Sequence, residues 1–211
     1  MRIAFIGHGQ VGGALAAHLR RVGHDVTLAT RGARSAGLEA LLARHPALRT
    51  APAAEAVAAA EVVVLATPYQ ANEAALTPLR AALAGKILVD CTNPVGPGLS
   101  HGLGSARSGT EAIQALLPAT RVVKAFSVYG YENFEAPAGE GRAVRPAMPF
   151  CGDDEGAKAV VARLLAELGW EPLDVGGASQ ALHLEHMTLL WVRMVRMGGH
   201  SPRLVWAALD R

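Results

Sequence analysis

The chain has 211 residues, 51% of them apolar and 18% charged, with a formal net charge of +2. This composition is globular and excludes the disordered class, and the length suits one α/β domain with a small appendage. The positive charge is weak and scattered, with Arg20-Arg21 its densest pair, which argues against a nucleic-acid partner; no apolar run reaches the roughly 18 residues of a membrane helix.

Ile3 to Ile6 is a short continuous apolar run, the pattern of a strand buried on both faces. Val11 to Val22 has helical spacing and stops at Gly23. Val26 to Ala29 reads as the second strand, Ser35 to Arg44 as a weaker helix and Glu55 to Ala60 as a short alanine-rich one. Val62 to Ala66 is the clearest strand in the chain. Gln70 to Ala84 reads as a helix kinked before Pro78. Then come strand Ile87 to Val89, helix Gly109 to Leu117 and strand Arg121 to Ala125. Met148 to Cys151 and Glu171 to Val175 read as strands around helix Glu155 to Leu168, which Gly169 closes. A long apolar helix runs from Ala178 to Met197, and Pro202 starts a last short one. Two stretches rich in Gly and Pro, Asn93 to Ser108 and Asn133 to Pro149, break the rhythm as surface loops. Strands separated by helices of about 10–15 residues predict βαβ units in a mainly parallel, doubly wound α/β sheet.

Gly7-His8-Gly9-Gln10-Val11-Gly12 is a G-x-G-x-x-G sequence that directly follows a buried strand and opens an amphipathic helix. Each glycine has a physical reason: Gly7 for the tight turn, Gly9 so that a pyrophosphate reaches the backbone, Gly12 for close packing of helix on strand. The unpaired N–H groups and helix dipole then face the phosphates. His8, Gln10 and Val11 are candidate contacts within the loop. The expectation is a Rossmann-type dinucleotide-binding domain over residues 1–145 and a small α/β lobe ending in helices over residues 146–211.

In NAD-preferring folds a carboxylate ends the second strand and binds the ribose 2′-hydroxyl. Here that strand ends Ala29-Thr30-Arg31, followed by Gly32-Ala33-Arg34-Ser35, while Asp25 stands at its start. A hydroxyl and two guanidinium groups suit a 2′-phosphate, so Thr30, Arg31, Arg34 and Ser35 are candidate contacts to NADP(H); a solvated basic loop is the alternative. Ala66-Thr67-Pro68-Tyr69, Cys91-Thr92-Asn93-Pro94 and Lys124-Ala125-Phe126-Ser127 all follow strands and point to one crevice. Ala66, Thr67, Pro68 and Asn93 are therefore candidate contacts to nicotinamide and its ribose, although either proline also serves simply to end a strand. Lys124 reads as a snorkelling edge residue rather than a catalytic one.

No Tyr-x-x-x-Lys donor pair, no metal-ligand spacing and no paired loop carboxylates are evident. His183 and His186 read as one helix face, and Asp153-Asp154 as an N-cap with a first-turn charge. No catalytic residue and no metal ligand are assigned. A crevice without a proton donor favours hydride transfer to an acceptor with its own electronics, such as a flavin or deazaflavin. Cys91 and Cys151 read as free buried thiols, and Met1-Arg2 leads straight into the first strand, so the expected compartment is the cytoplasm.

The chain resembles the NADP oxidoreductases dependent on the deazaflavin coenzyme F420, and the related oxidoreductase domain of membrane ferric reductases. The matching pieces are Gly7 to Gly12, Thr30-Arg31, Thr67-Pro68, Thr92-Asn93-Pro94 and Val123-Lys124-Ala125-Phe126. The most specific set is Cys151-Gly152-Asp153-Asp154, Lys158, Glu171-Pro172-Leu173-Asp174-Val175-Gly176, then Glu185 and Thr188. The resemblance implies hydride exchange between NADP(H) and F420 in a cleft, and a homodimer that uses the last helices. It departs at Ser127, where many relatives carry Asn, at Leu182, where relatives carry Arg, and through Ser127 to Tyr131, which faces the expected acceptor. Two other functions stand beside it. One is an NADPH-dependent reductase of a small imine or keto acid, whose proton would come from Tyr129, Tyr131 or Lys124. The other is a non-enzymatic NADPH-sensing module.

Overall fold

The computed structural model describes residues 1–32, 35–141 and 143–209. The apolar runs form one eight-stranded sheet in the order β3-β2-β1-β4-β5-β6-β7-β8. Its strands are β1 (Arg2–Ile6), β2 (Asp25–Thr30), β3 (Arg49–Pro52), β4 (Val62–Leu65), β5 (Ile87–Asp90), β6 (Arg121–Lys124), β7 (Ala147–Gly152) and β8 (Glu171–Asp174). β1 to β6 are mutually parallel. β7 runs antiparallel to β6, with Lys124 opposite Cys151, and β8 follows β7 in parallel. The sheet is thus continuous from residue 2 to residue 174.

Both faces are covered, which is why β1 and β4 are apolar at every buried position. Ile3 and Phe5 face one core layer with α1 (Gln10–Arg21), α2 (Ala36–Arg44), α7 (Glu155–Glu167) and α8 (Ala181–Val192). Ala4 and Ile6 face the other, with α3 (Ala53–Ala59), α4 (Asn72–Leu76), α5 (Arg80–Leu83) and α6 (Gly109–Leu116). Helix ends follow local chemistry. Gly23 (φ 102°) closes α1, and the His24 N–H returns to Leu19 O at 3.1 Å. Ser108 and Glu111 form a reciprocal capping box on α6.

Several expectations need correction. The stretch after Pro68 is not one kinked helix but short α and 3₁₀ turns, broken at Thr77–Leu79, where Pro78 has no N–H to donate. The long apolar helix begins as a 3₁₀ turn and ends in a π-helical turn at Arg193–Met197. Among the described residues no helix follows Pro202. The peptide groups there serve tertiary bonds instead: Leu204 O accepts from Trp191 Nε1, Trp206 N donates to the Tyr129 hydroxyl, and Trp206 O accepts from Ala147 N. Asp154, rather than Asp153, caps α7, and Asp153 accepts from Ala178 N at 2.7 Å. Among the described residues no helix is long and apolar enough to cross a membrane, and no three His, Cys, Asp or Glu side chains are grouped to hold a metal. Cys91 and Cys151 are free and buried; burial pushes both thiols up, Cys151 to about 12.

Candidate functional site

The strand order reverses between β1 and β4, and a crevice opens there beyond their carboxyl ends. Gly7 sits at the first turn with φ 100°, and a Cβ there would lie 2.5 Å from Ala66 O. A Cβ on Gly12 would meet Gly7 O at 2.2 Å. Those two glycines are therefore required by the protein's own packing. Gly9 is different: a Cβ there would meet nothing within 4 Å, and as N-cap of α1 it supplies no side-chain acceptor for the helix's first N–H groups. Open space over an uncapped helix N-terminus fits an anionic phosphate.

A cleft of about 970 Å³ runs over this loop, lined among others by His8, Gln10, Ala66, Thr67 and Pro68. A smaller cleft of about 270 Å³ adjoins it, where Thr30, Arg31 and Ser35 meet Gly7, His8 and Thr67. Arg31 is exposed and has no ion-pair partner among the described residues. The Thr30 hydroxyl donates to Ala51 O at 3.1 Å, and Ser35 caps α2 through Leu38 N. Asp25 lies at the opposite end of β2, paired with Arg49. Arg34 lies outside the described residues. A 2′-phosphate would thus meet Arg31, with the Thr30 and Ser35 oxygens beside it.

Asn93 and Val11 belong to a third pocket of about 220 Å³, together with Ser127, Tyr129, Thr188 and Trp191. Tyr131 lines both this pocket and the largest cleft. The turn after β6 is strained, for Phe126 takes φ 56° without being glycine. That strain aims Ser127 so that its carbonyl accepts from Asn93 Nδ2 (3.1 Å) and lies 3.0 Å from the Thr188 hydroxyl. The Ser127 hydroxyl itself is buried with no partner among the described residues. The Tyr129 hydroxyl is committed to Ala147 O at 2.7 Å, and burial pushes it up to about 12.

Beneath these walls lies a charged cluster that reading along the chain missed. Lys124 is fully buried, not a snorkelling edge residue, because β7 pairs outside β6 and covers it. Its ammonium lies 3.4 Å from Asp90 Oδ2, 3.2 Å from Glu185 Oε1 and 2.8 Å from Thr92 O. Burial by itself pushes the ammonium down; Asp90 and Glu185 outweigh it and hold Lys124 above its ordinary value. Glu185 also accepts from His101 Nε2 at 2.7 Å and from Gly109 N at 2.9 Å. Asp90 accepts from Thr92 N, the Thr92 hydroxyl and the Thr110 hydroxyl. From Asp90 a chain leads outward: Asn72 donates to Thr92, and Thr67 donates to Asn72. His183 and His186 are exposed on α8, and His186 stacks on His101 at 5.4 Å. A signal for the cluster was present. Two buried strands end in charge, Ile-Leu-Val-Asp and Arg-Val-Val-Lys, and Asp90 is the register partner of Lys124.

Residues 2–94 match the family model for coenzyme F420-dependent NADP oxidoreductases. A solved structure from Arthrobacter sp. FB24, provisionally assigned as an F420-dependent NADP reductase, superposes with a TM-score of 0.89 over 100% of both chains, at 31% identity. The chain belongs to this family. Members of the F420-dependent NADP oxidoreductase family are NADP-dependent enzymes, which places this chain in the oxidoreductase class. It is also 32% identical over 189 residues to the rat metalloreductase STEAP3, and 37% identical over 102 residues to the F420-dependent NADP reductase of Methanothermobacter marburgensis. The matches cover 89% and 45% of this chain but 36% and 46% of those proteins. The chain thus spans less than half the length of the curated relatives it matches.

Proposed function

We propose that this protein transfers a hydride from NADPH, held across Gly7 to Gly12 with its 2′-phosphate at Thr30 and Arg31, to a deazaflavin or flavin in the pocket beside Ser127. When bound, the nicotinamide supplies the hydride; the chain's residues bind, orient and exclude water. The single observation carrying this reading is the state of the pocket's polar groups. The Tyr129 hydroxyl is spent on Ala147 O, and the Lys124 ammonium is locked between Asp90 and Glu185. Neither reaches out to protonate a substrate, which leaves Tyr131 as the candidate donor among the pocket's described phenols. With both buried groups spent, the pocket suits an acceptor that needs only a hydride from the protein-bound side and takes its proton from solvent.

Purified protein mixed with NADPH and oxidised coenzyme F420 tests it. Bleaching of the deazaflavin is the expected result. Cofactor binding by thermal shift without bleaching would discard that acceptor and send the search to free flavins and ferric chelates. The imine or keto-acid alternative requires Tyr131, which lines both cavities. It would show as carbonyl or imine reduction that Tyr131→Phe abolishes.

A further inference from the structure

We propose that the buried Asp90–Lys124–Glu185–His101 cluster carries a fixed net negative charge under the nicotinamide end of the crevice, and so favours the oxidised, cationic ring over the reduced, neutral one. The inference rests on the NADP(H) reading above and adds a role for residues that touch no ligand: they are positioning residues acting through charge.

The charge follows from counting donors. His101 Nδ1 faces the backbone N–H groups of Leu103 (3.3 Å) and Ser105 (3.2 Å), so it accepts, and the ring's one proton sits on Nε2, donating to Glu185. A neutral His101 leaves Glu185 with donors on both oxygens: His101, Gly109 N–H and Lys124. Asp90 likewise meets only donors, from Thr92 N, Thr92 Oγ1, Thr110 Oγ1 and Lys124. Both carboxylates are therefore ionised, and between them they share a single ammonium. Among the described residues, the ionisable neighbours do not balance the excess: His186, stacked on His101, is exposed to solvent, where any charge on it is screened. Tyr69 faces the cluster as a neutral phenol, its ionisation opposed by burial and by Glu185. Arg107 is exposed to solvent, where its charge is screened.

The cluster is also close to the reacting end. Asp90 and Thr92 flank Cys91, which with Asn93 lines the pocket assigned to the acceptor. Thr67, which lines the largest cleft, is joined to Asp90 through Asn72 and Thr92 by three successive hydrogen bonds of 2.7, 2.8 and 2.7 Å. Side chains of Asp90, Lys124, Glu185 and His101 are each no more than 2% exposed, so little water screens them. Loss of a hydride, a proton with two electrons, to the flavin-like acceptor turns a neutral dihydropyridine into a pyridinium cation. A fixed negative charge nearby lowers the free energy of that product and leaves the starting ring almost untouched.

The decisive measurement is the pair of dissociation constants for NADP+ and NADPH, without any acceptor, in the wild type and in Asp90→Asn, Glu185→Gln and His101→Gln. The two carboxylate variants are expected to weaken NADP+ on the order of tenfold relative to NADPH. His101→Gln exchanges one neutral group for another; it is expected to lower Tm while leaving the ratio in place. Equal weakening of both ligands in all three variants would make the cluster a tether for α8 and overturn the proposal. Should the carboxylate variants fail to fold, the wild type decides. NADP+ is expected to bind at least as tightly as NADPH, and tenfold tighter binding of NADPH would overturn the charge argument. Failure to bind either ligand would overturn the underlying reading and the inference together.

Discussion

At Arg31 charge and shape meet: a planar guanidinium is exposed at the end of β2, next to the Thr30 hydroxyl and without a carboxylate partner among the described residues. Asp25, the acidic side chain of the same strand, is held at the far end by Arg49. Replacing Arg31 by Asp removes a charge-assisted donor and installs an acceptor suited to a free ribose hydroxyl. NADPH affinity is expected to fall roughly ten- to hundredfold while NADH affinity holds or improves; titration of both cofactors by fluorescence checks it, and an equal change in both would remove Arg31 from the pocket. Such a contact was readable because the phosphate loop and the end of β2 are contiguous sequence with fixed roles. The charged cluster was not, because its members are brought together only by folding. His101 and Glu185 lie 84 positions apart, and each by itself reads as an ordinary loop or helix residue.

Among the elements, the same contrast separates β1 and β4 from β3. A strand buried on both faces announces itself as an unbroken apolar run, whereas the edge strand Arg49–Pro52 has no fully buried residue and so no pattern to read. The segment after Pro202 misled for the opposite reason. Proline suits a first helical turn, but Leu204, Val205 and Trp206 pack on the core and their backbone bonds go to β7, Tyr129 and Trp191. At the junction of β1 with α1 the geometry separates glycines that serve the fold from the one left free for a ligand. Gly12→Ala drives a methyl into Gly7 O and is expected to cost about 1–3 kcal/mol, a fall in Tm of roughly 2–10 °C. Gly9→Ala meets nothing of the protein and is expected to leave Tm nearly unchanged while abolishing the Tm rise that NADPH gives the wild type. Equal thermal damage from both would mean that Gly9 is a packing residue and that the open space over α1 is not a phosphate seat.

For the molecule as a whole, His18 links the first helix to the turn before β7. It is 2% exposed on α1, its Nδ1 lies 3.2 Å from Phe134 O, and its Nε2 is buried without a partner among the described residues. Burial and, next, the neighbouring Arg21 hold its pKa below 6.5, and the Phe134 carbonyl only partly opposes them. The sign then follows. Below 6.5 the unfolded chain takes up a proton that the native imidazole refuses, so stability is complete above that pH and declines as pH falls toward the native value. His45 shifts the same way, through burial and Arg44, but stands nearer the solvent and contributes less. The slope from one such group is at most about 1.4 kcal/mol per pH unit. Thermal unfolding between about pH 7 and 5.5, above the carboxylate range, should therefore show Tm falling with pH. His18→Asn retains a donor toward Phe134 and cannot be charged. It should give a lower but flatter profile; a slope equal to the wild type's would place the acid sensitivity elsewhere in the molecule.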